Sequence, residues 1–434
     1  MNEPLVSLIT VNFNGKPFLE PLIQSIREQD FPSEQLEIIL VDNGSTDGSL
    51  ELLRDRFPEV RIVANRDNTG FAKANNQGAE VARGRYLALI NNDMRLDSEW
   101  LSRMVAALET APSDMVCISS KIVNWDGTLI DFMGGTVAFN GMGFQTNFRA
   151  PVDAPVAKEY PKELLFACGG AMLITRAAYQ EVGGFDEDYF AYFEDVDLGW
   201  RLWVMGYRVG FCGEAIAYHR FNGTSSKFGW HKKLVLFERN SLYTLIKNYD
   251  DESLAKVLPA ALLLSVKRMA VRSGIDREDF RFAPTSSPAS TPIHRAREHR
   301  VKKALRIFRQ EGPSNFAKKV LVKLAERVMN RWRDLPTQPA SDGFRPIRHD
   351  GYATVVGLED LMDHLPRLME KRRWIQSRRR RPDQEIFHQF KTPFEVSESA
   401  ADYPAVFATV AEALGVKNLI SDAERVASTG ERRD

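Results

Sequence analysis

Cysteine is scarce: Cys117, Cys168 and Cys212 are the three thiols in 434 residues. So few, so scattered, exclude a disulfide framework or a cysteine-rich zinc site and point to a reducing cytosol. Long apolar runs are missing too. No stretch reaches the roughly 18 residues that cross a bilayer, and the longest candidate, 257–266, contains Pro259. Net charge is absent, since 58 Lys and Arg balance 58 Asp and Glu. That removes any global argument for nucleic acid. The opening MNEPLVSLITVNFNG lacks a basic n-region and a cleavage site, so it is expected to be a strand and not a signal peptide. The first turn, Asn12-Phe13-Asn14-Gly15, has no Gly-x-Gly-x-x-Gly spacing, and no P-loop pattern occurs. Nicotinamide chemistry is thereby excluded.

What is present is a rhythm. Apolar runs at 5–11, 36–41, 60–64 and 86–90 alternate with helical stretches at 17–29, 45–56 and 71–82. This predicts an α/β fold, a Rossmann-like, mostly parallel sheet flanked by helices. The polar groups gather where strands one, two and four end. The fourth run, YLALI, stops at Asn91-Asn92-Asp93, and ligands of open α/β sheets sit beyond such strand tips. Asp93 is a hard oxygen ligand suited to Mg²⁺ or Mn²⁺ that also holds substrate phosphates. A plain reading, a polar turn before a helix capped by Asp97 or Ser98, covers the same residues.

Farther along, Phe166–Thr175 reads as a strand with a glycine pair. Asp186, Glu187, Asp188, Glu194, Asp195 and Asp197 then stand among large aromatics. The pattern turns helical from Val196, which puts Glu194-Asp195 at a helix N-terminus where the dipole favours carboxylates. His219 ends the last expected strand, 24 residues after Asp195.

The stretches VSLITVNFNG, LVDNGSTDGS, NTGFAKANNQG, LALINNDM, CGGAMLITRAAYQEVGGFDE, FEDVDLGWRL and AYHRFNGTS occur in this order. Together they resemble family-2 glycosyltransferases of GT-A fold, the bacterial rhamnosyltransferase-like branch in particular, over roughly residues 4–250. The resemblance implies an inverting, divalent-metal-dependent transfer of rhamnose or a related hexose from a dTDP- or UDP-sugar to a surface-glycan acceptor, free or lipid-linked. It implies nucleotide contacts at Thr10 and Asn12, a base contact at Asp42 and a further donor contact at Lys73. Asn92 and Asp93 match the Asp-x-Asp-type motif, with asparagine in place of the leading acid. Asp195 of the Glu194-Asp195 pair matches the catalytic base, and His219 a histidine completing metal coordination with Asp93. The chemistry agrees: a sugar hydroxyl needs a carboxylate to take its proton, and a diphosphate leaving group needs its charge stabilised. A silent nucleotide- or glycan-binding scaffold is the alternative.

The resemblance fades after residue 250, and 251–434 is expected to be mainly helical and basic, with linkers near 284–292 and 335–348. Leu254–Val271 is amphipathic, 302–333 is a second basic amphipathic stretch, and KRRWIQSRRRR at 371–381 holds seven cations and no acid. A solvated helix face and docking on an anionic membrane surface are both expected uses, the latter peripheral, on the cytoplasmic side. Self-association is a third.

Overall fold

The computed structural model describes residues 4–220, 229–274, 348–398 and 400–421. The linkers expected near 284–292 and 335–347 and the basic stretch 302–333 lie outside them.

The N-terminal part alternates as its apolar period requires. In order come β1 (Val6–Asn12), α1 (Lys16–Arg27), β2 (Leu36–Asp42), α2 (Ser49–Arg56), β3 (Val60–Ala64), α3 (Phe71–Val81) and β4 (Tyr86–Ile90). Pro17 falls in the first turn of α1, where its missing N–H leaves no bond unmade. β4 is buried at every position, as a parallel strand covered on both faces should be. Each buried leucine there, Leu87 and Leu89, contributes roughly 1.5–3 kcal/mol.

The chain continues through β5 (Met94–Leu96), α4 (Trp100–Glu109), β6 (Met115–Asn124), β7 (Ile130–Phe132), β8 (Gly135–Val137) and β9 (Gly143–Gln145). Next are β10 (Glu163–Leu164), β11 (Ala171–Thr175), α5 (Arg176–Glu181), α6 (Glu194–Val204) and β12 (Arg208–His219). One sheet runs β10-β12-β6-β11-β4-β1-β2-β3, with β5 added on β12 and β7 on β6. The β4-β1-β2-β3 half is parallel, β11 enters antiparallel to both β4 and β6, and β6 and β12 are again parallel. The glycine-rich region after residue 115 resolves into long β6 and a β8–β9 hairpin. The strand expected over 166–175 is shorter, because Gly169 and Gly170 lie outside it. β12 is a single strand interrupted by a register shift between Cys212 and Ile216.

The described residues continue through the helices α7 (Trp230–Asn248), α8 (Asp251–Ser273), α9 (His349–Gln376), α10 (Asp383–Ile386) and α11 (Tyr403–Ala413). α7 packs on α6, while α8 and α9 pack on α7. Fully buried Glu238 of α7 binds Arg268 and Arg272 of α8, and Arg268 reaches Tyr403 of α11. The stretch 254–271, expected to be amphipathic, turns much of its apolar face into the protein. Val257, Ala260, Ala261 and Leu264 are interior, leaving Leu263 and Val266 exposed. Among the described residues no helix is long and apolar enough to cross a membrane.

The basic run 371–381 also differs from expectation. Lys371 binds Asp186 and Asp188, and Arg372 binds the carbonyls of Ile246 and Tyr249. Arg379 meets Asp383 and the Asn248 carbonyl, and Arg381 the carbonyls of Gly206 and Tyr207. Four of its seven cations are thus turned inward as staples, leaving Arg373, Arg378 and Arg380 exposed. The sequence pattern missed this because the acceptors, mostly backbone carbonyls, lie more than a hundred residues away, Asp383 excepted.

Candidate active site

The tips of β1, β2 and β4 are tied by one hydrogen-bond chain. Asn92 Nδ2 donates to Asn12 Oδ1 at 2.9 Å, and Asn12 Nδ2 donates to Asp42 Oδ1 at 2.9 Å. The Ser45 amide donates to Asp42 Oδ2 at 2.9 Å. Gly15 lets these side chains meet, for a Cβ there would lie 2.2 Å from Asn92 Nδ2 and 2.5 Å from Asn12 Oδ1. Asp42 is fully buried with both oxygens engaged, so in this conformation it organises the loop and does not face a ligand. Thr10 is buried on β1 with its hydroxyl unpaired. Lys73, on the first turn of α3, is half exposed and pairs with Glu187 at 3.8 Å.

Asp93 and His219 are brought together by register. β5 pairs antiparallel with β12 so that Met94 lies opposite His219, and the Arg220 amide donates to the Asp93 carbonyl at 2.9 Å. His219 Nε2 stands 3.7 Å from Asp93 Oδ1, a buried oxygen without a hydrogen-bond partner. On the other side of the ring Nδ1 lies 3.1 Å from Asp131 Oδ2. Burial lowers the imidazole's pKa, but Asp131 and Asp93 outweigh it and bring the group up to about 9. Asp131, on β7, was not anticipated from sequence; its only signal was an acid between buried Ile130 and Phe132. Such a carboxylate fixes the ring and its tautomer, aiming Nε2 at Asp93.

A divalent cation fits this pair. The donors are a hard carboxylate oxygen and an imidazole nitrogen, and 3.7 Å is within the span of two ligands each about 2.1 Å from one ion. Among the described residues no cluster of three or more His, Cys, Asp or Glu side chains is set to hold a metal. Mg²⁺ in particular takes one or two protein ligands and fills the remainder with phosphate oxygens and water.

The second half of the site is the start of α6. Asp195 Oδ2 accepts from the Gly169 amide at 3.0 Å and Oδ1 from the Val196 amide at 2.8 Å. Burial raises the Asp195 pKa against the pull of those amides. Burial, and then the Asp195 charge, hold Glu194 well above the usual carboxylate range, and its Oε2 is buried and unpaired. The Gly169-Gly170 pair joins the halves. A Cβ on Gly169 would lie 3.4 Å from the Asp195 Cβ, and one on Gly170 would lie 3.0 Å from Asn91 Nδ2. The Asn91 amide also donates to the Gly170 carbonyl at 2.9 Å. Two residues without side chains thus separate the Asn91-Asn92-Asp93 tip from Asp195. Burial, reinforced by the Asp195 charge, pushes the neighbouring Cys168 thiol up to about 12, which makes it a poor nucleophile.

The chain is similar to known proteins. Residues 7–183 match the family model for glycosyl transferase family 2. The chain is 26% identical over 262 residues to the N-acetylglucosaminyl-diphospho-decaprenol L-rhamnosyltransferase of Mycobacterium tuberculosis, covering 54% of this chain and 83% of that protein. It is 29% identical over 214 residues to the O-antigen biosynthesis protein RfbC of Myxococcus xanthus, covering 48% of this chain and 16% of that one. Among solved structures, GalNAc-T7 with UDP, GalNAc and Mn²⁺ is similar at a TM-score of 0.47 and 18% identity, over 60% of this chain and 52% of that one. Residues 7–183 are thus similar to glycosyl transferase family 2, and the chain is similar to enzymes named as glycosyltransferases.

Proposed function

We propose that the enzyme transfers rhamnose or a related hexose, with inversion, from a dTDP- or UDP-sugar to a hydroxyl of a surface-glycan acceptor. The carrying observation is the glycine pair that sets Asp195 beside the Asn91-Asn92-Asp93 tip. The family match and the rhamnosyltransferase relative support the donor class.

Asp195 is the base. It is partly exposed, whereas Glu194 is buried and its pKa is raised by burial and by the Asp195 charge, so Asp195 is the carboxylate open to an entering hydroxyl. The Gly169 and Val196 amides hold its carboxylate in place. Asp93 and His219 would hold Mg²⁺ or Mn²⁺, which when bound neutralises charge on the departing diphosphate. Asp131 keeps the imidazole aimed. Asn92, Asn12 and Asp42 stiffen the donor side of the crevice, with Thr10 and Lys73 on its border.

The test is a panel of dTDP-, UDP- and GDP-sugars with Mg²⁺ or Mn²⁺, read as nucleotide release with and without acceptor. Release from one donor class, lost in D195N, is the expected result. Nucleotide binding without hydrolysis or transfer from any donor would favour the scaffold reading. Peripheral contact with anionic membrane belongs to the same proposal, since Leu263, Val266, Met362 and Leu365 are exposed apolar residues of α8 and α9. Sedimentation with anionic vesicles tests it, and no binding at low salt would remove it.

A further inference from the structure

The five residues before Glu194 have an unusual backbone. Phe190 has φ 63° and ψ −62°, and the Ala191 amide donates back to the Tyr189 carbonyl at 2.7 Å, closing a γ-turn of the rare positive-φ kind. Tyr192 and Phe193 follow at φ 68° and 70°. Three bulky residues in the left-handed half of the map persist only where the surroundings over-determine them, and such strain gathers at ligand sites.

What imposes the shape here is α7. Fully buried Asn240 donates from Nδ2 to the carbonyls of Tyr189, Ala191 and Tyr192 at 3.1, 3.0 and 2.7 Å. Arg239 holds that amide's orientation through Asn240 Oδ1 at 2.9 Å and donates to the carbonyls of Asp188 and Tyr189. One turn earlier, Phe237 lies edge-on to Tyr192 at 5.0 Å between centroids and tilted to Phe193 at 6.1 Å. Trp230, at the start of the same helix, meets Phe237 at 6.3 Å and is 58% exposed. Phe193, Phe237 and Trp230 therefore form a stepped aromatic surface, and it begins two residues before Asp195.

We propose that this surface is the acceptor subsite and that it takes a pyranose ring by packing against the ring's C–H face. The inference rests on the transfer reading above and names the occupant of that site. A hydroxyl losing its proton to Asp195 must lie about 2.6–3.2 Å from the carboxylate. Phe193 is the aromatic residue next in sequence to the Glu194-Asp195 pair, two positions before Asp195, and the acceptor ring is set against it. Aromatic rings give a large, rigid contact to such a face while leaving the hydroxyls to solvent and polar partners. A lipid chain attached to the acceptor lies beyond the reacting sugar, and the nucleotide belongs to the β1–β2 side of the crevice. The sugar is the occupant adjacent to the base.

The experiment is saturation-transfer NMR on the full chain with methyl glycosides of hexoses, 6-deoxyhexoses and N-acetylhexosamines, each paired with its octyl glycoside. Wild type, W230A and F237L are compared, with circular dichroism melts to confirm that both variants fold. Transfer to ring C–H protons of at least one methyl glycoside is expected, reduced fivefold or more in both variants at unchanged nucleotide affinity. Equal transfer in all three proteins, or none in wild type, overturns the subsite. Transfer confined to the octyl chain also overturns it and makes the surface a lipid contact. If no nucleotide sugar is hydrolysed or transferred, yet the ring-proton signal behaves as expected, the reaction reading fails and the sugar surface stands.

Discussion

Between residues 186 and 197 one short segment holds two sets of acids with opposite fates. Asp186 and Asp197 are buried but matched: Lys247 bonds both, Lys371 bonds Asp186 and Arg201 bonds Asp197. Burial alone would raise their pKa values, yet those cations hold both acids below the ordinary range. Glu194 and Asp195 are raised, because burial is answered by backbone amides and, among the described residues, by no cation. The sequence shows six acids in one run, and only their partners separate structure from chemistry. Arg201 is one turn along α6 itself, while Lys247 and Lys371 come from α7 and α9, far along the chain.

The largest effect should come from neutralising the open set. D195N removes the proton acceptor but keeps its shape, so transfer should fall by roughly 10²–10⁴ with nucleotide affinity nearly unchanged, measured by initial rates and calorimetry. The base must be ionised to work and its pKa is raised, so activity should rise with pH along an acid limb above the usual aspartate range. A limb at the ordinary value would place the base elsewhere.

Opening the closed set should be nearly as costly. K247M leaves Asp186 and Asp197 buried beside one fewer cation, and urea unfolding should show a loss of about 3–5 kcal/mol. A loss below about 1 kcal/mol would mean Lys371 and Arg201 suffice.

Asp383 sharpens the contrast, because it is buried beside a cation and is still raised. Burial pushes its pKa up to about 6, and Asp250 adds to the rise, against the pull of Arg379. The folded state therefore binds its proton more tightly than the unfolded chain. The resulting stability is full below about pH 4 and is lost as pH rises through about 6, on the order of 2–3 kcal/mol in all. D383N should flatten the unfolding midpoint across that window. The smallest effect belongs to R380Q, which removes an exposed pair with Glu181 and should shift stability by less than about 0.5 kcal/mol.

Positions set by local pattern were legible in advance. The strands follow from apolar runs, Asp93 from its strand tip and Asp195 from a helix start. His219 was read from a motif, and the β5–β12 register then set it against Asp93. Asp131 was not legible, because its partner lies 88 residues on and no spacing rule joins a short strand to the end of another. The cations of 371–381 were misread for the same reason. A pattern reports what a residue is, and backbone carbonyls as partners leave no trace in it.

The staples from 371–381 also set an order on synthesis. Until residue 381 has left the ribosome, the catalytic half lacks Lys371 for Asp186 and the donors that satisfy the last carbonyls of α7. α7 in turn carries Asn240, which holds the backbone leading into Asp195. A nascent chain halted near residue 274 would contain all of residues 7–183, the family match, and an unfinished entry to Asp195.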